Sequence, residues 1–390
     1  MKVLVLTPTF FPIVGGAEVG IHEIYRRVAE TETVTIATTI PADSTDDGFE
    51  ALDHTREAMY SISRVPPRTQ KTRILKKASA FFAVREISYI RQLKRAGQVD
   101  VINLQFVYPH GLVAVAARLM NIPVVLSLVG RSDVLAGLSW WRRLHAELVL
   151  RAANAITANS KYYLSGSRWT SSATVVPYGA DTPYFAEKDL VSVERQRDKW
   201  RRASGDDTFF LLAVQRLADV KRVDVLLEVM GILETAQPGR FKLIVVGTGP
   251  ERESLEKQAD KLPADAVEFA GYVDESDLPE IYASADLFLS HSMVETFGVM
   301  FAQAMASGTP PVAADTSCIS MVIDSGRTGV VVEPFNPHAF ADTIIQLADS
   351  PEFLSRMSQT ARAAARSEYH WDDIAEAHLG VLRGARHRRP

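Results

Sequence analysis

Short apolar runs alternate with longer amphipathic segments along the whole chain. Lys2–Thr7, 34–38, 99–104, 123–128 and Ala155–Ala158 are near-continuous apolar runs, which predicts strands buried on both faces. Helical spacing of apolar positions falls between them, at about 17–30, 72–95, 110–120 and 140–153. The alternation pauses at Val175-Val176-Pro177-Tyr178-Gly179-Ala180-Asp181 and crosses a charge-rich stretch near 186–207. It then restarts with Phe209–Val214, Phe241–Val246, 267–269, 286–290, 311–313 and 329–332. This βαβ order predicts an α/β chain with two successive, mainly parallel, doubly wound sheets. The expected domains are 1–185 and 186–369, two Rossmann-like lobes with a cleft between them. Ligands in such sheets sit outside the carboxyl ends of the strands. The last segment, about 370–390, predicts a helix that crosses back onto the first lobe, with a solvated basic tail.

Composition narrows the class. A chain of 390 residues with 47% hydrophobic and 23% charged residues is that of a globular protein of about two domains. A net charge of −4 argues against general nucleic-acid binding. A single cysteine, Cys318, excludes an internal disulfide and fits a reducing compartment. No apolar run reaches membrane-span length, and MKVLVLTPTF reads as a strand rather than a signal peptide. A cytoplasmic protein is expected, with the inner face of the membrane as the alternative place.

The stretch SMVETFGVMFAQAMASGTP at 292–310 carries the sharpest chemistry. Glu295 stands on a turn beside Phe297-Gly298, and a helix opens at Val299. Backbone amides at a helix start favour anions, and an acid there holds hydroxyls, which together suit a sugar joined to a phosphate. The plain alternative is a loop whose acid is favoured by the helix dipole. Gly15-Gly16 likewise precedes a helix, where glycine lets backbone amides approach a phosphate, or simply makes a turn. Arg216 and Lys221 follow the first strand of the second series. Two cations there neutralise a departing diphosphate, or are solvated surface charges. Val246-Gly247-Thr248-Gly249-Pro250-Glu251 is a strand, a glycine turn and a helix start. The G-x-G-x-x-G dinucleotide fingerprint is missing from Gly15-Gly16. No His/Cys/Asp cluster has metal-site spacing and no D-x-D ends a strand, so no metal is expected.

These segments resemble the retaining family-four glycosyltransferases over nearly the full chain. The family pattern S-x-x-E-x-F-G-x-x-x-x-E-A-M-A-x-G-x-P-V is met at Ser292, Glu295, Phe297, Gly298, Ala304, Met305, Ala306, Gly308 and Pro310. Gly15-Gly16-Ala17-Glu18, Arg216 with Lys221, and Val246–Glu251 match G-G-A-E, G-R-L-x-x-x-K-G and V-G-x-G-P-E. The resemblance implies the GT-B architecture, an acceptor-binding first lobe, a donor-binding second lobe and transfer with retention of anomeric configuration. It implies that Arg216 and Lys221 assist the leaving diphosphate and that Glu295 orients the sugar. Gly15, Gly16, Gly247, Gly249, Phe297, Gly298 and Val299 are then placed around the donor. Tyr272 and Val273 fall in the segment whose backbone reads the base, and Gln303 where ribose is held. The partners implied are a nucleoside-diphosphate sugar as co-substrate and a hydroxyl acceptor, which is a sugar, a lipid-linked glycan or a small molecule. No further cofactor and no nucleic acid is implied.

The departures are equally specific. Gln303 replaces the second acid, keeping the reach but losing the charge. Gln215 and Arg222 stand where glycines are usual, Val129 where a histidine is, and Tyr178 where an asparagine is. Ser317-Cys318 replaces a glycine pair and Met321 an acid. Arg131 or Asp133 is then a candidate sugar contact in place of the histidine. His110, at a helix start, is a candidate cleft residue, although a lone histidine is more often structural. Segment 64–95 is strongly basic with interspersed apolar residues, and Trp140-Trp141-Arg142-Arg143 follows. Three readings stand for the segment: a packed helix with a solvated basic face, contact with anionic lipid, and binding of an anionic acceptor. Two rivals to a transferase also stand: a non-catalytic GT-B scaffold and a nucleotide-sugar epimerase on the same fold.

Overall fold

Val3, Leu4, Val5 and Leu6 are all buried, as a central strand covered on both faces requires. The computed structural model describes residues 1–11, 15–39, 59–65, 79–108, 110–130, 133, 139–164, 169, 172–186, 189–201 and 207–387. The chain divides into two compact units, Met1–Pro177 with Trp371–Pro390, and Tyr178–His370. The first boundary therefore falls at Pro177 rather than at residue 185. The short helix Thr182–Ala186 is the reason, because it packs on helices of the second unit.

In the first unit the order is β1 (Lys2–Thr7), α1 (Gly16–Val28), β2 (Thr33–Thr39), β3 (Ser61–Val65), α2 (Ser79–Arg95) and β4 (Val101–Gln105). Then follow α3 (Gly111–Leu119), β5 (Val124–Leu128), α4 (Trp140–Ala152), β6 (Ala155–Ala158) and β7 (Ala173–Val175). All strands pair in parallel, in the order β3-β2-β1-β4-β5-β6-β7.

The second unit runs α5 (Thr182–Ala186), α6 (Leu190–Trp200), β8 (Phe209–Val214), α7 (Val223–Ala236), β9 (Phe241–Val246), α8 (Arg252–Ala259), β10 (Val267–Gly271) and α9 (Leu278–Ala283). It continues through β11 (Leu287–Ser290), α10 (Val299–Ser307), β12 (Pro311–Ala314), α11 (Ile319–Val322), β13 (Val330–Val332), α12 (Pro337–Ala348) and α13 (Pro351–Glu368). Its sheet is also parallel, ordered β10-β9-β8-β11-β12-β13. In each sheet the winding reverses once, between β1 and β4 and between β8 and β11. Those switch points are where the loops leaving neighbouring strands diverge and leave room for a ligand.

The last helix, α14 (Trp371–His387), packs on α1 of the first unit. The buried Tyr25 hydroxyl lies 2.7 Å from Asn103 Oδ1 and 2.9 Å from His378 Nε2. Arg27 pairs with Asp372, and Arg383 with Glu32 at 2.7 Å. Burial pushes the pKa of His378 down to about 4. A histidine with a depressed native pKa contributes stability that is full above its ordinary value near 6.5 and drains as the pH falls toward 4. The protonation penalty is on the order of 3 kcal/mol. His378→Gln keeps a hydrogen-bonding group but no titration. Its thermal transition should decline less steeply than wild type from pH 6.5 to 4, and equal slopes by calorimetry would remove His378 from this role.

Candidate functional site

The loops leaving β8, β9, β11 and β12 emerge from one edge of the second sheet and are tied to each other. Met293 N–H donates to Val220 O at 2.9 Å, joining the β11 loop to the β8 loop. Leu217 N–H donates to Thr248 O and Glu251 N–H to Leu217 O, joining the β8 loop to the β9 loop. Thr316 Oγ1 and Ser317 Oγ donate to the carbonyls of Ser292 and Met293 at 2.5 and 3.2 Å. Cys318 Sγ donates to Glu295 O at 3.3 Å. Burial, with the nearby Glu295 charge, pushes the Cys318 thiol up to about 12, so it stays protonated as a donor.

This bracing brings together two residues far apart in sequence. Lys221 Nζ lies 2.5 Å from Glu295 Oε1, with side chains 21% and 9% exposed. Arg216, on the same loop as Lys221, is exposed and makes no ion pair among the described residues. Glu295 Oε1 takes the ammonium, which leaves its other oxygen available to a hydroxyl.

Phe297 is buried edge-on against Tyr178 and Tyr369, at centroid distances of 6.3 and 5.3 Å. At the Tyr178 departure the ring thus packs beneath the loop. Gly298 has φ of +80° and caps α10, and a Cβ there would lie 2.5 Å from the Phe301 ring. The glycine turns the chain so that the first amides of α10, which have no intrahelical acceptor, face outward from the helix end. Val299 opens that helix.

Gln303 lies one turn further along α10. Its Oε1 accepts from the Tyr282 hydroxyl at 3.3 Å, and burial pushes the Tyr282 pKa well up, so the phenol remains a donor. The amide therefore turns its nitrogen, a donor, away from Tyr282. A carboxylate at this position would accept from Tyr282 and still accept from ligand hydroxyls. Gln303→Glu should tighten nucleotide-sugar binding roughly fivefold, the gain of one charge-assisted over a neutral hydrogen bond. Unchanged or weaker binding by titration calorimetry would contradict that assignment.

The glycines of the β9 loop have a steric reason. A Cβ on Gly247 would lie 2.0 Å from Gln215 O, and one on Gly249 would lie 2.1 Å from Leu217 O. They let the β8 and β9 loops touch backbone to backbone. Arg222, where a glycine was expected, has φ of +49° and pairs with Asp224 at 2.9 Å. Ser317, likewise, has φ of +55°. At both places the backbone keeps the left-handed turn that makes glycine the usual residue. Tyr272 is exposed beyond β10, and Val273 is half-buried.

The first unit treats its candidates differently. Gly15 is the extended N-cap of α1, and the place of its missing Cβ is 2.7 Å from Glu18 Oε2. Glu18 is buried and accepts from Thr9 Oγ1 at 2.6 Å, so it braces the β1 loop. Around Gly16 there is open space, with nothing within 4 Å of a Cβ. Two of the candidates are buried. Asp133 is fully buried, with Oδ1 accepting from Val107 N–H at 2.9 Å and Oδ2 from Val129 and Gly130 N–H at 3.0 and 3.1 Å. Burial pushes its pKa up to about 6 against the pull of those amides. Asp133 braces two loops through both of its oxygens. His110 is also fully buried, its Nδ1 3.5 Å from Glu86 Oε2, and does not face solvent. Arg131 lies outside the described residues.

Sequence reasoning passed over Cys318 as the brace of Glu295. It also passed over His291, whose Nε2 accepts from Phe335 N–H at 3.2 Å directly before the motif. In the sequence Gln215 reads only as a departure. Its buried side-chain amide has no partner among the described residues and lies beside Arg216.

Comparison with known proteins places these features in a family. A model described as "Glycosyltransferase Family 4" matches residues 14–182, and one described as "Glycosyl transferases group 1" matches 194–364. Mannosylfructose-phosphate synthase of Agrobacterium fabrum is 32% identical over 219 residues, 54% of this chain and 47% of that protein. A D-inositol 3-phosphate glycosyltransferase of Nocardioides is 28% identical over 334 residues, 77% of this chain and 71% of that protein. Several of the relatives, the Agrobacterium synthase among them, are matched over only about half their length. Among solved structures, HepE of Anabaena in complex with UDP superposes with a TM-score of 0.78 at 20% identity, over 98% of this chain and 100% of that one. The lipopolysaccharide glycosyltransferase WaaG superposes with a TM-score of 0.68 at 18% identity, over 98% of this chain and 100% of that one.

Proposed function

From a chain that belongs to the family-four glycosyltransferases and has the GT-B fold, we propose transfer of a hexose from a nucleoside-diphosphate sugar to a hydroxyl acceptor, with retention of configuration. The observation that carries the reading is the Lys221–Glu295 pair at the switch point of the second sheet, with the exposed Arg216 on the same loop. HepE was solved with UDP and with UDP-glucose, which supports a nucleoside-diphosphate donor.

In this reading the second unit holds the donor and the first the acceptor. The anomeric C–O bond breaks with its electron pair going to the diphosphate. The acceptor oxygen bonds to the same carbon, and its proton leaves with the diphosphate. Arg216 and Lys221 neutralise the charge that develops on the leaving group. Glu295 fixes the Lys221 ammonium with one oxygen and orients sugar hydroxyls with the other. The amides of Phe297, Gly298 and Val299 cradle phosphate at the start of α10, and Gly15 and Gly16 stand at a second anion-favouring helix start, that of α1. The loop glycines Gly247 and Gly249 set the spacing of the pocket, Tyr272 and Val273 lie at the base, and Gln303 meets the ribose. The chemistry asks for no cofactor beyond the donor, since the two cations do the work of a divalent metal at the diphosphate.

Differential scanning fluorimetry against nucleoside diphosphates and their sugars tests the donor half. A ligand at a hundred times its Kd stabilises by about 2.7 kcal/mol. At least one diphosphate and its sugar should raise the transition while the matching nucleoside does not. A panel with no shift at all would favour the non-catalytic scaffold.

A further inference from the structure

Helix α4 is apolar on two opposite sides. Ala146, Val149, Leu150 and Ala152 face the core. Trp140, Trp141, Leu144 and Leu148 are exposed, Trp140 to 78%. At 100° per residue these four fall, together with Arg151, on the side away from Ala146, Val149 and Leu150. The neighbouring helix α3 packs on α4 and adds exposed Leu112 and Leu119, the latter 81% exposed. Arg118 Nη1 donates to Arg151 O at 3.4 Å, joining the carboxyl ends of the two helices. Single exposed leucines are ordinary, but two tryptophans and four leucines on adjoining helices form a patch that marks an interaction surface.

The charge around the patch selects the partner. Helix α4 carries Arg142, Arg143 and Arg151 against Glu147 alone, on a chain whose net charge is −4. Arg151 pairs with Glu147 at 3.4 Å and Arg142 lies over the Tyr108 ring, so Arg143 is left exposed beside Trp140. Helix α2, which packs on α3, continues the basic layer with exposed Arg85, Arg91, Lys94 and Arg95. A second copy meeting this face about a two-fold axis would bring arginines against arginines. An anionic bilayer instead offers headgroups to the arginines and an interfacial zone to the tryptophans.

We propose that the outward face of α3 and α4 docks the first unit on anionic lipid, with Trp140, Trp141, Leu144 and Leu148 entering the headgroup boundary. The 13 residues of α4 span about 20 Å, too short to cross a ~30 Å core, so the helix lies in the plane of the surface. The inference stands apart from the transfer reading, since it uses none of that site's residues.

Co-sedimentation of the full chain with vesicles of phosphatidylcholine, alone or mixed with phosphatidylglycerol, tests it. Binding is expected to the mixed vesicles only, with a blue shift of tryptophan emission and release by added salt. Arg143→Gln with Arg151→Gln should weaken partition roughly thirtyfold, about fivefold for each charge lost near the surface. Trp140→Ser with Trp141→Ser, which touches no core residue, should abolish both the partition and the shift. No binding to mixed vesicles would overturn the proposal, as would equal binding by wild type and both variants. A dimer in sedimentation equilibrium that the tryptophan variant dissolves would assign the face to a second copy instead.

Discussion

Replacing Arg216 with alanine should lower kcat by roughly 10²–10³-fold, the usual cost of losing one preorganised group that stabilises developing charge. The expectation rests on three observations. Arg216 leaves β8 at the switch point, it is exposed, and it makes no ion pair among the described residues. A guanidinium with no internal ion pair and an exposed surface contributes little to the fold. The variant should therefore melt close to wild type while losing turnover. Because the charge develops only as the C–O bond breaks, kcat should fall more than KM rises. Near-normal turnover, measured as nucleoside diphosphate released at saturating donor and acceptor, would remove Arg216 from the reaction.

The second large effect is expected at the Lys221–Glu295 pair. Glu295→Ala should cut kcat/KM about 10²-fold and also loosen Lys221, whose ammonium is fixed by that carboxylate. Lys221→Ala should do the same and leave a carboxylate only 9% exposed without its partner. Complete burial would make such a loss worth about 3–5 kcal/mol. The exposure of Lys221 reduces this to roughly 1–2 kcal/mol, since water screens the pair. The two residues act as a unit, so the double variant should be little worse than the poorer single variant. Steady-state kinetics of the three proteins make the double-mutant cycle, and additive losses would mean that the residues serve separate steps.

Most of both sheets is legible in the sequence, because their strands are buried on both faces and written as continuous apolar runs. The exceptions are strands at the edges. Ser61–Val65 mixes two serines and Arg64 with Ile62 and Val65 and ends the first sheet on one side, and Ala173–Val175 is a three-residue edge strand on the other. Half-covered strands need no apolar run, so periodicity did not reveal them. The segment expected as a helix at 72–95 is described only from Ser79, as α2.

The site is legible in its residue types and much less so in its contacts. The family resemblance marks Arg216, Lys221 and Glu295 as candidates, but nothing local says that Lys221 and Glu295 meet across the β8 and β11 loops. The burial of Asp133 and His110 could not be read from the sequence, for one shared reason. Their sequence context shows a polar residue in a loop or at a helix start, whereas burial depends on Val107 and Glu86 arriving from other segments and on the loop folding Asp133 back onto Val129 and Gly130. The departures at Arg222 and Ser317 read as losses of glycine in the sequence. In the fold they keep a positive φ, so the turn survives the change of residue. Gln303 is the reverse case, a conservative swap that matters because Tyr282 occupies its oxygen.

The most direct test of the central claim follows the anomeric proton of the product by NMR during reaction of a nucleotide sugar with a hydroxyl acceptor. Wild type should release nucleoside diphosphate only when acceptor is present and form a glycoside with the donor's anomeric configuration, and Arg216→Ala should form it at least 10²-fold more slowly. An inverted product, or diphosphate release that neither needs acceptor nor responds to Arg216→Ala, would contradict it.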